Sequence, residues 1–382
     1  MSRRLRVGVV YGGRSGEHEI SLRSAATVIA ALDQARYEVV PIAITKEGRW
    51  LTGRDSVRLL DEAQRVLAPV AEHGDEVMLP PVPSGGALVP IAGGPAMSAL
   101  DVVFPVLHGT YGEDGTMQGL LELVGIPYVG AGVLASSIGM DKAVMKAVFR
   151  DAGIPVCRWV VVRPADEPPA DVRARVEAEL GFPCFVKPCN LGSSVGISKV
   201  KGARDLAEAV ALAARYDPKV IVEEAIDGRE LECGVLGNER AEASVVGELI
   251  PSHEFYDYAD KYVDDGVRII IPAELPAETV DGVRALALRA FHAIEGSGLA
   301  RVDFFLERRT GRLLVNEINT MPGFTRASQY PRLWDASGVP LTELVERLIT
   351  LAFERHAVRG KRALSFEPPE VSAATRSSRG GR

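Results

Sequence analysis

Apolar residues in this chain occur in short runs broken by Gly- and Pro-rich stretches, and the period within each run predicts strands alternating with helices. Leu5 to Tyr11 reads as a short buried strand. Gly12-Gly13-Arg14-Ser15-Gly16 then leads into a helical pattern from Glu17 to Leu32. Glu38 to Ile44 and Asp101 to Leu107 read as two more strands, and Gly115 to Val124 as a helix. Strands that alternate with helices in this way predict parallel pairing inside a covered sheet.

A second unit begins near Asp141. Lys142 to Asp151 is a helix, closed by Gly153 and Pro155. Trp159–Val162 and Phe182–Val186 read as strands with a helix over Asp171–Leu180 between them. A strand at Ile197–Val200, a helix over Ala203–Arg215 and a strand at Val220–Glu223 follow. A third unit has strands at Leu231–Leu236, Ala243–Ile250, Val267–Ile271, Arg301–Leu306 and Leu313–Ile318, with helices near Val280–Ile294 and Leu341–Arg355. No internal repeat is visible, and no catalytic residue stands out between Ile44 and Pro95.

Composition narrows the class. A chain of 382 residues, 47% apolar, is long enough for two or three domains and a substantial core. The net charge of −7 is spread among interspersed acids and bases, so no broad basic field marks a nucleic-acid partner. Cys157, Cys184, Cys189 and Cys233 form no C-x-x-C pair, and three of them sit in apolar runs. They read as small buried hydrophobes of a reducing compartment. The basic start mimics a secretory leader, but its apolar run ends at Tyr11-Gly12-Gly13 and is too short. No run of about 18 apolar residues exists to span a membrane. The segment from Glu367 to Arg382 is rich in Pro, Ser, Arg and Gly, lacks apolar periodicity, and is expected to be disordered.

The sharpest constellation lies between Arg301 and Asn319. Two β-rich runs flank a polar turn that contains Gly311. A turn centred on Thr310 sets Asp303 opposite Glu317 and Arg301 opposite Asn319, with all four side chains on one face. Carboxylates directly across a strand pair repel, and a hard divalent cation offsets that repulsion. Asp, Glu and Asn offer oxygen ligands suited to Mg2+ bound together with substrate phosphates. The bland alternative, a solvated surface hairpin, stands level with this on spacing alone.

Phe185-Val-Lys187-Pro-Cys-Asn-Leu-Gly192-Ser193-Ser194-Val-Gly196 is a strand running into a Gly/Ser loop. Small residues let backbone N–H groups approach phosphate oxygens, serine hydroxyls add donors, and Lys187 adds a point charge. No G-K-[ST] ending opens a helix, and no G-x-G-x-x-G precedes one, so neither a Walker A loop nor a dinucleotide fingerprint is present. An ordinary hairpin loop is the alternative. The strand end Val220-Ile-Val-Glu223-Glu224 offers backbone groups to an adenine edge and a nearby carboxylate to ribose hydroxyls, although a plain strand end explains it equally.

Together these segments resemble the ATP-grasp superfamily and, within it, the D-alanine–D-alanine ligase family, over about Val7 to Glu354. The most specific marks are His108-Gly-Thr-Tyr-Gly112-Glu113-Asp114-Gly115-Thr-Met-Gln118-Gly119 and the run from Arg301 to Ser328. Gly12-Gly-Arg-Ser-Gly-Glu17-His-Glu-Ile-Ser21 and Gly192-Ser-Ser-Val-Gly196 match as well. The resemblance implies an α/β fold, α+β in its C-terminal part, with ATP held between central and C-terminal domains. It divides the chain into an N-terminal domain (1–139), a central ATP-grasp subdomain (140–226), a C-terminal subdomain (227–362) and a tail (363–382). It implies a cytoplasmic enzyme, a homodimer, ATP as co-substrate, two Mg2+ ions that Mn2+ can replace, and D-alanine as substrate. ATP phosphorylates the first D-alanine, and the amine of the second attacks the acyl phosphate.

Residue roles carry over in the same sense. Glu17 resembles the acid that holds the first substrate's ammonium; otherwise it is a favourable first-turn carboxylate. His108 resembles a first-subsite residue, or else a satisfied loop histidine. Lys142 and Lys187 resemble phosphate lysines. Ser193 and Tyr262 resemble partners of Glu17 in a network that closes a mobile loop, Phe255 to Tyr262, whose Lys261 meets the γ-phosphate. The resemblance also assigns Phe185, Ser194, Glu223, Glu224, Ala225, Ile226, Glu230, Phe305 and Asn316 to the nucleotide. Arg301 would stabilise the oxyanion, since its fixed cation suits charge that develops late. Asp303, Glu317 and Asn319 would hold the metals, and Gly323, Ser328 and Gln329 would face the second substrate. Two departures stand out: Glu224 where many relatives have Lys, and Ala225 in place of a bulkier residue near the adenine. Three alternatives remain: a sister ligase making D-alanyl-D-lactate or D-alanyl-D-serine, a non-catalytic nucleotide-binding module, and a nicotinamide oxidoreductase suggested by the first strand and its Gly12-Gly13. Tyr262 favours the dipeptide.

Overall fold

The computed structural model describes residues 3–53, 75–83, 85–192, 195–250 and 268–362. Ser193, Ser194, the loop with Lys261 and Tyr262, and the 363–382 tail lie outside the described residues.

The first apolar run becomes β1 (Leu5–Gly12), which pairs in parallel with β2 (Tyr37–Ile44) and β6 (Val102–Val106), as the strand–helix alternation predicts. Its last six residues are buried, as expected of a central strand covered on both faces. The sheet is nevertheless mixed. β3 (Trp50–Thr52), β4 (Asp75–Met78) and β5 (Val89–Pro90) extend it with antiparallel pairs, giving the order β5-β4-β3-β2-β1-β6. These strands have two to four residues each, too few to show a period. Helix α1 (His18–Ala31) buries Ile20, Leu22 and Val28. It is followed by α2 (Thr116–Val124), α3 (Val133–Met140) and α4 (Lys142–Asp151). The sequence did not mark α3, whose central Ser136-Ser137 and Gly139 blur its apolar stripe. Asp141 caps α4 by accepting the Ala143 and Val144 N–H groups at 3.1 Å each.

The second sheet is antiparallel, β7-β10-β8-β9, built from β7 (Trp159–Val162), β8 (Cys184–Pro188), β9 (Ser198–Val200) and β10 (Val220–Glu224). β8 starts two residues later than expected because Pro183 has no N–H to give a ladder. Helices α5 (Pro169–Glu179) and α6 (Leu206–Ala214) contribute Val172, Val176, Leu206 and Val210 to a core with Val160, Val186 and Val222. Residues 203–205, expected in α6, form a turn instead.

The third sheet, β13-β12-β11-β14-β15, is also antiparallel. Its strands are β11 (Gly228–Gly237), β12 (Glu242–Ile250), β13 (Arg268–Ile270), β14 (Gly298–Glu307) and β15 (Leu313–Asn319). Helix α7 (Ala277–Ala293) sets Val283, Ala287 and Phe291 against it. Two helices close the fold, α8 (Gln329–Ala336) and α9 (Leu341–Arg359). Pro331 reads as a break in sequence, yet a proline is tolerated in the first turn of a helix, and α8 forms around it. From α9, Leu344, Leu348 and Ile349 join Val9, Leu22 and Phe104 in one cluster, so the last helix completes the first domain's core. Arg355 of α9 lies 4.0 Å over the Tyr128 ring and donates to the Gly130 carbonyl at 2.6 Å. Among the described residues no helix is long and apolar enough to cross a membrane.

β1 ends on Gly12 at φ +89°, where the chain turns toward α1, and a Cβ there would overlap the Ile44 carbonyl oxygen. Gly12→Ala is therefore expected to cost about 1–3 kcal/mol, measured as a lower midpoint in urea. A wild-type midpoint would show that the turn relaxes.

Candidate active site

A cleft of about 1060 Å³ opens among the three sheets and takes its walls from all of them. That is the upper end of the range for small-molecule sites, enough for a nucleotide and further small groups.

The N-terminal sheet delivers Glu17 and His108 to the cleft on the loops beyond β1 and β6. The Glu17 carboxylate lies between two glycines: a Cβ would sit 2.9 Å from Oε2 if built on Gly109 and 3.0 Å if built on Gly192. The loop that begins at Gly192 therefore approaches Glu17 closely. His108 is buried, with Nδ1 3.0 Å from the Met321 carbonyl and Nε2 3.0 Å from Ser24 Oγ. Burial lowers its pKa, against the opposing charge of Glu17. Both ring nitrogens are engaged by protein groups.

The central sheet supplies Phe185, Lys187, Glu223, Glu224, Ala225 and Ile226, all on the cleft wall. Glu223 is buried between two lysines, with Lys187 Nζ at 2.6 Å and Lys146 Nζ at 3.1 Å. Burial alone would raise its pKa, but the two ammonium groups pull it down to about 2. For Lys146, burial opposes the charge while Cys157 and Glu223 restore it, and the net shift is upward. Lys146 also reaches the Cys157 sulfur at 3.2 Å. Glu224 accepts from the Arg158 backbone at 2.8 Å and from its guanidinium at 2.7 Å, which accounts locally for an acid at that position. Lys142 lines the cleft from α4 and donates to the Leu191 carbonyl at 2.7 Å.

The third sheet contributes Glu230, Arg301, Asp303, Phe305, Asn316, Glu317 and Asn319. Asp303 faces Glu317 and Arg301 faces Asn319, but not through an unbroken ladder. Below this point Phe304 pairs with Val315, so Asn316 is an extra residue, a β-bulge. Strict alternation would turn Asn316 and Glu317 to opposite faces, whereas both line the cleft. Arg301 binds both oxygens of Asp303 at 2.7 Å and reaches Glu232 at 3.2 Å. These carboxylates raise its pKa well above the usual value despite burial. Asn319 donates to Asp303 at 3.2 Å, and Lys142 Nζ lies 3.9 Å from Glu317.

This donor set fits a hard cation. Asp303, Glu317 and Asn319 bring two carboxylates and an amide to one face of one ribbon. Among the described residues no group of three His, Cys, Asp or Glu side chains forms a metal cage. An ion held here would draw further ligands from phosphate and water, as Mg2+ does beside substrate phosphates.

Beyond β15 the chain turns through Gly323 to Ser328 and Gln329 at the start of α8, all three on the cleft wall. A helix N-terminus favours an anion. Two residues of the cleft wall, and a lysine buried behind it, were not singled out from sequence. Glu113 carries a carboxyl pushed up to about 8 by burial and by the charge of Glu17. Glu232 holds Arg301, and its signal was its place two residues after Glu230 on one strand face. Lys146 lies one turn beyond Lys142 on α4. A smaller depression of about 640 Å³ on the outer side of α4 is lined mainly by Ala143, Ala147, Val148 and Val161, and its Lys219 is paired with Asp141.

The family model described as D-ala D-ala ligase N-terminus matches residues 6–131, and that described as D-ala D-ala ligase C-terminus matches residues 148–350. The chain is 48% identical over 365 residues to a D-alanine–D-alanine ligase of Geobacillus thermodenitrificans, covering 95% of this chain and 99% of that one. It is 51% identical over 367 residues to D-alanine–D-alanine ligase A of Bradyrhizobium diazoefficiens, covering 94% and 98%. The structure of the D-alanine-D-alanine ligase from Coxiella burnetii superposes with a TM-score of 0.79 at 37% identity, covering 94% of this chain and 97% of that one. The VanG D-Ala:D-Ser ligase from Enterococcus faecalis superposes at 0.81 with 35% identity, covering 92% and 100%.

Glu223→Gln would leave two lysines facing a neutral amide in a buried site. A loss of about 3–5 kcal/mol is expected at neutral pH, read from urea denaturation. The folded pKa lies below the ordinary 4.5, so the carboxylate's contribution is complete above that value and fades toward about 2. The gap between wild type and variant should therefore narrow on acidification through that window. A pH-independent gap would contradict the ion-pair assignment.

Proposed function

The chain belongs to the D-alanine–D-alanine ligase family, and from that premise we propose how its residues carry the reaction. The fold is ATP-grasp, and the reaction is the ATP-dependent joining of two D-alanines through D-alanyl phosphate, a step of peptidoglycan precursor synthesis. The reading rests chiefly on one observation: the Asp303–Glu317–Asn319 face, the two lysines and Glu17 surround a single cleft.

Glu17 takes the ammonium of the first D-alanine. ATP lies between the second and third sheets, its adenine against Phe185, Glu224, Ala225, Ile226 and Phe305 and its ribose near Glu230. Lys142 and Lys187 neutralise phosphate oxygens, joined by Ser193, Ser194 and Lys261. Glu223 keeps Lys187 charged and aimed, since a paired ammonium is costly to deprotonate. Asp303, Glu317 and Asn319 would hold Mg2+, which would supply further charge neutralisation at the transferring phosphate. Two ions, replacement by Mn2+, and a nucleotide contact from Asn316 are part of the proposal. Arg301 stabilises the oxyanion formed when the second amine attacks, and its fixed position favours this because no reorganisation is needed as charge develops. Gly323, Ser328 and Gln329 receive the second substrate's carboxylate, which the α8 N-terminus favours. His108 shapes the first subsite through its ring edge. Tyr262 and Ser193 complete the closure over Glu17.

The domain division at 139/140, 226/227 and 362/363 is supported by three sheets whose strands fall within separate intervals of the chain. A cytoplasmic homodimer without a membrane or nucleic-acid partner completes the reading. The dipeptide is favoured because relatives 48% and 51% identical over nearly the whole chain are named D-alanine–D-alanine ligases.

Phosphate release from ATP is expected with D-alanine and not with L-alanine or D-lactate; equal release with all three would sink the assignment. Glu317→Gln should abolish turnover with little change in thermal unfolding, and retained turnover in magnesium would overturn the metal assignment. Tyr262→Phe should shift acceptor choice more than ATP affinity, and the reverse pattern would contradict its role.

A further inference from the structure

The turn after β15 connects the carboxylate ribbon to the acceptor wall at Ser328. Its position therefore sets the distance between the phosphate end of the cleft and the incoming amine. That turn belongs to the third sheet by sequence, yet the first domain holds it. Glu113 Oε2 accepts the Met321 N–H at 3.2 Å, and its Oε1 accepts the Gly109 N–H at 2.8 Å. Ser24 Oγ accepts the Phe324 N–H at 3.1 Å. His108 bridges the two contacts, 3.0 Å from the Met321 carbonyl and 3.0 Å from Ser24 Oγ.

Donor and acceptor bookkeeping fixes the protons. A carbonyl only accepts, so His108 Nδ1 carries the hydrogen. The Phe324 amide only donates, so it occupies a lone pair of Ser24. The Ser24 proton is then directed to His108 Nε2, the acceptor nitrogen of a neutral imidazole. The network closes with the Met321 N–H, the Met321 carbonyl and the Phe324 N–H all held by side chains. Ser24 is fully buried, and Glu113 and His108 nearly so, so water does not replace a lost partner easily. Phe324 locks the far end, edge-on to Phe104 at 5.9 Å and tilted on Tyr330 at 5.7 Å.

We propose that Ser24 and Glu113 are positioning residues for the acceptor D-alanine, acting through the backbone of Met321 and Phe324. The inference rests on the ligase reading above and deepens it. Neither residue touches the reacting atoms. Each fixes the turn so that the second amino acid meets the acyl phosphate at attack distance, where small displacements are costly. Acyl phosphate formation shares His108 with this network but does not use the acceptor wall at Ser328, so the acceptor step depends on the turn more than the first step does.

The test separates the two half-reactions. Ser24→Ala removes both bonds made by the hydroxyl. Assayed above pH 8, where the Glu113 carboxyl is ionised, Glu113→Gln is isosteric but accepts only one of the two N–H groups, and it carries the test alone if Ser24→Ala does not fold. In folded variants the D-alanine KM of the second site is expected to rise roughly ten-fold or more. The ATP KM should stay within about two-fold of wild type, and first-substrate-dependent isotope scrambling in ATP should fall less than dipeptide formation. An unchanged second-site KM overturns the proposal. So does an equal loss in scrambling and dipeptide formation, which marks a merely structural role. If the unmodified chain makes no dipeptide, the ligase reading itself falls and the proposal falls with it.

Discussion

Three carboxylates of the third sheet, Asp303, Glu317 and Glu232, are gathered on one wall of the cleft, and their mutual repulsion governs the surrounding structure. Arg301 sits between Asp303 and Glu232, and Lys142 approaches Glu317 from another domain. On the central sheet the signs are inverted, with one buried acid between two lysines. The excess acid of the one wall faces the excess base of the other across the cleft. A polyanion and its cations entering together add little net charge to this arrangement, while either alone upsets it. That balance selects for a metal–nucleotide pair over a bare nucleotide.

The frame that holds these charges is apolar and shared. Lys146 ties the central acid to the Asn316 carbonyl at 3.4 Å, so the bulge is linked to the wall opposite. The bulge shifts the register by one residue, so that Asp303 faces Glu317 although Phe304 pairs with Val315. The acceptor wall is as much a product of the first domain as of the third.

Much of this was legible in the chain. The runs at Leu5–Tyr11 and Lys142–Asp151 have lengths and ends that admit one reading, and the structure follows them. The cross-strand partners of Asp303 and Arg301 were also legible, but for a partly wrong reason: the turn is one position shorter than a centre on Thr310 requires, and the bulge restores the register. No periodicity announces a bulge, because it is one residue that breaks the period. β3, β4 and β5 were silent because they are short, and α8 because Pro331 signals a break wherever it stands. Glu113 was quoted within a glycine-rich motif without a role, since nothing local shows that Met321, 208 positions away, is its partner. Long-range partners of backbone groups leave no local mark.

The merging of α9 with the first sheet has a consequence for how the polypeptide comes to be folded. Val9 and Leu22 leave the ribosome long before Leu344 and Leu348, which share their cluster. The first sheet is therefore synthesised with part of its cluster unfilled, and that cluster closes only once the third sheet and α9 have been made. Contacts of such sequence separation form slowly and leave apolar surface exposed in the interval. A chain that stops before α9 leaves Val9 and Leu22 without part of their cluster and exposed to chaperones and proteases.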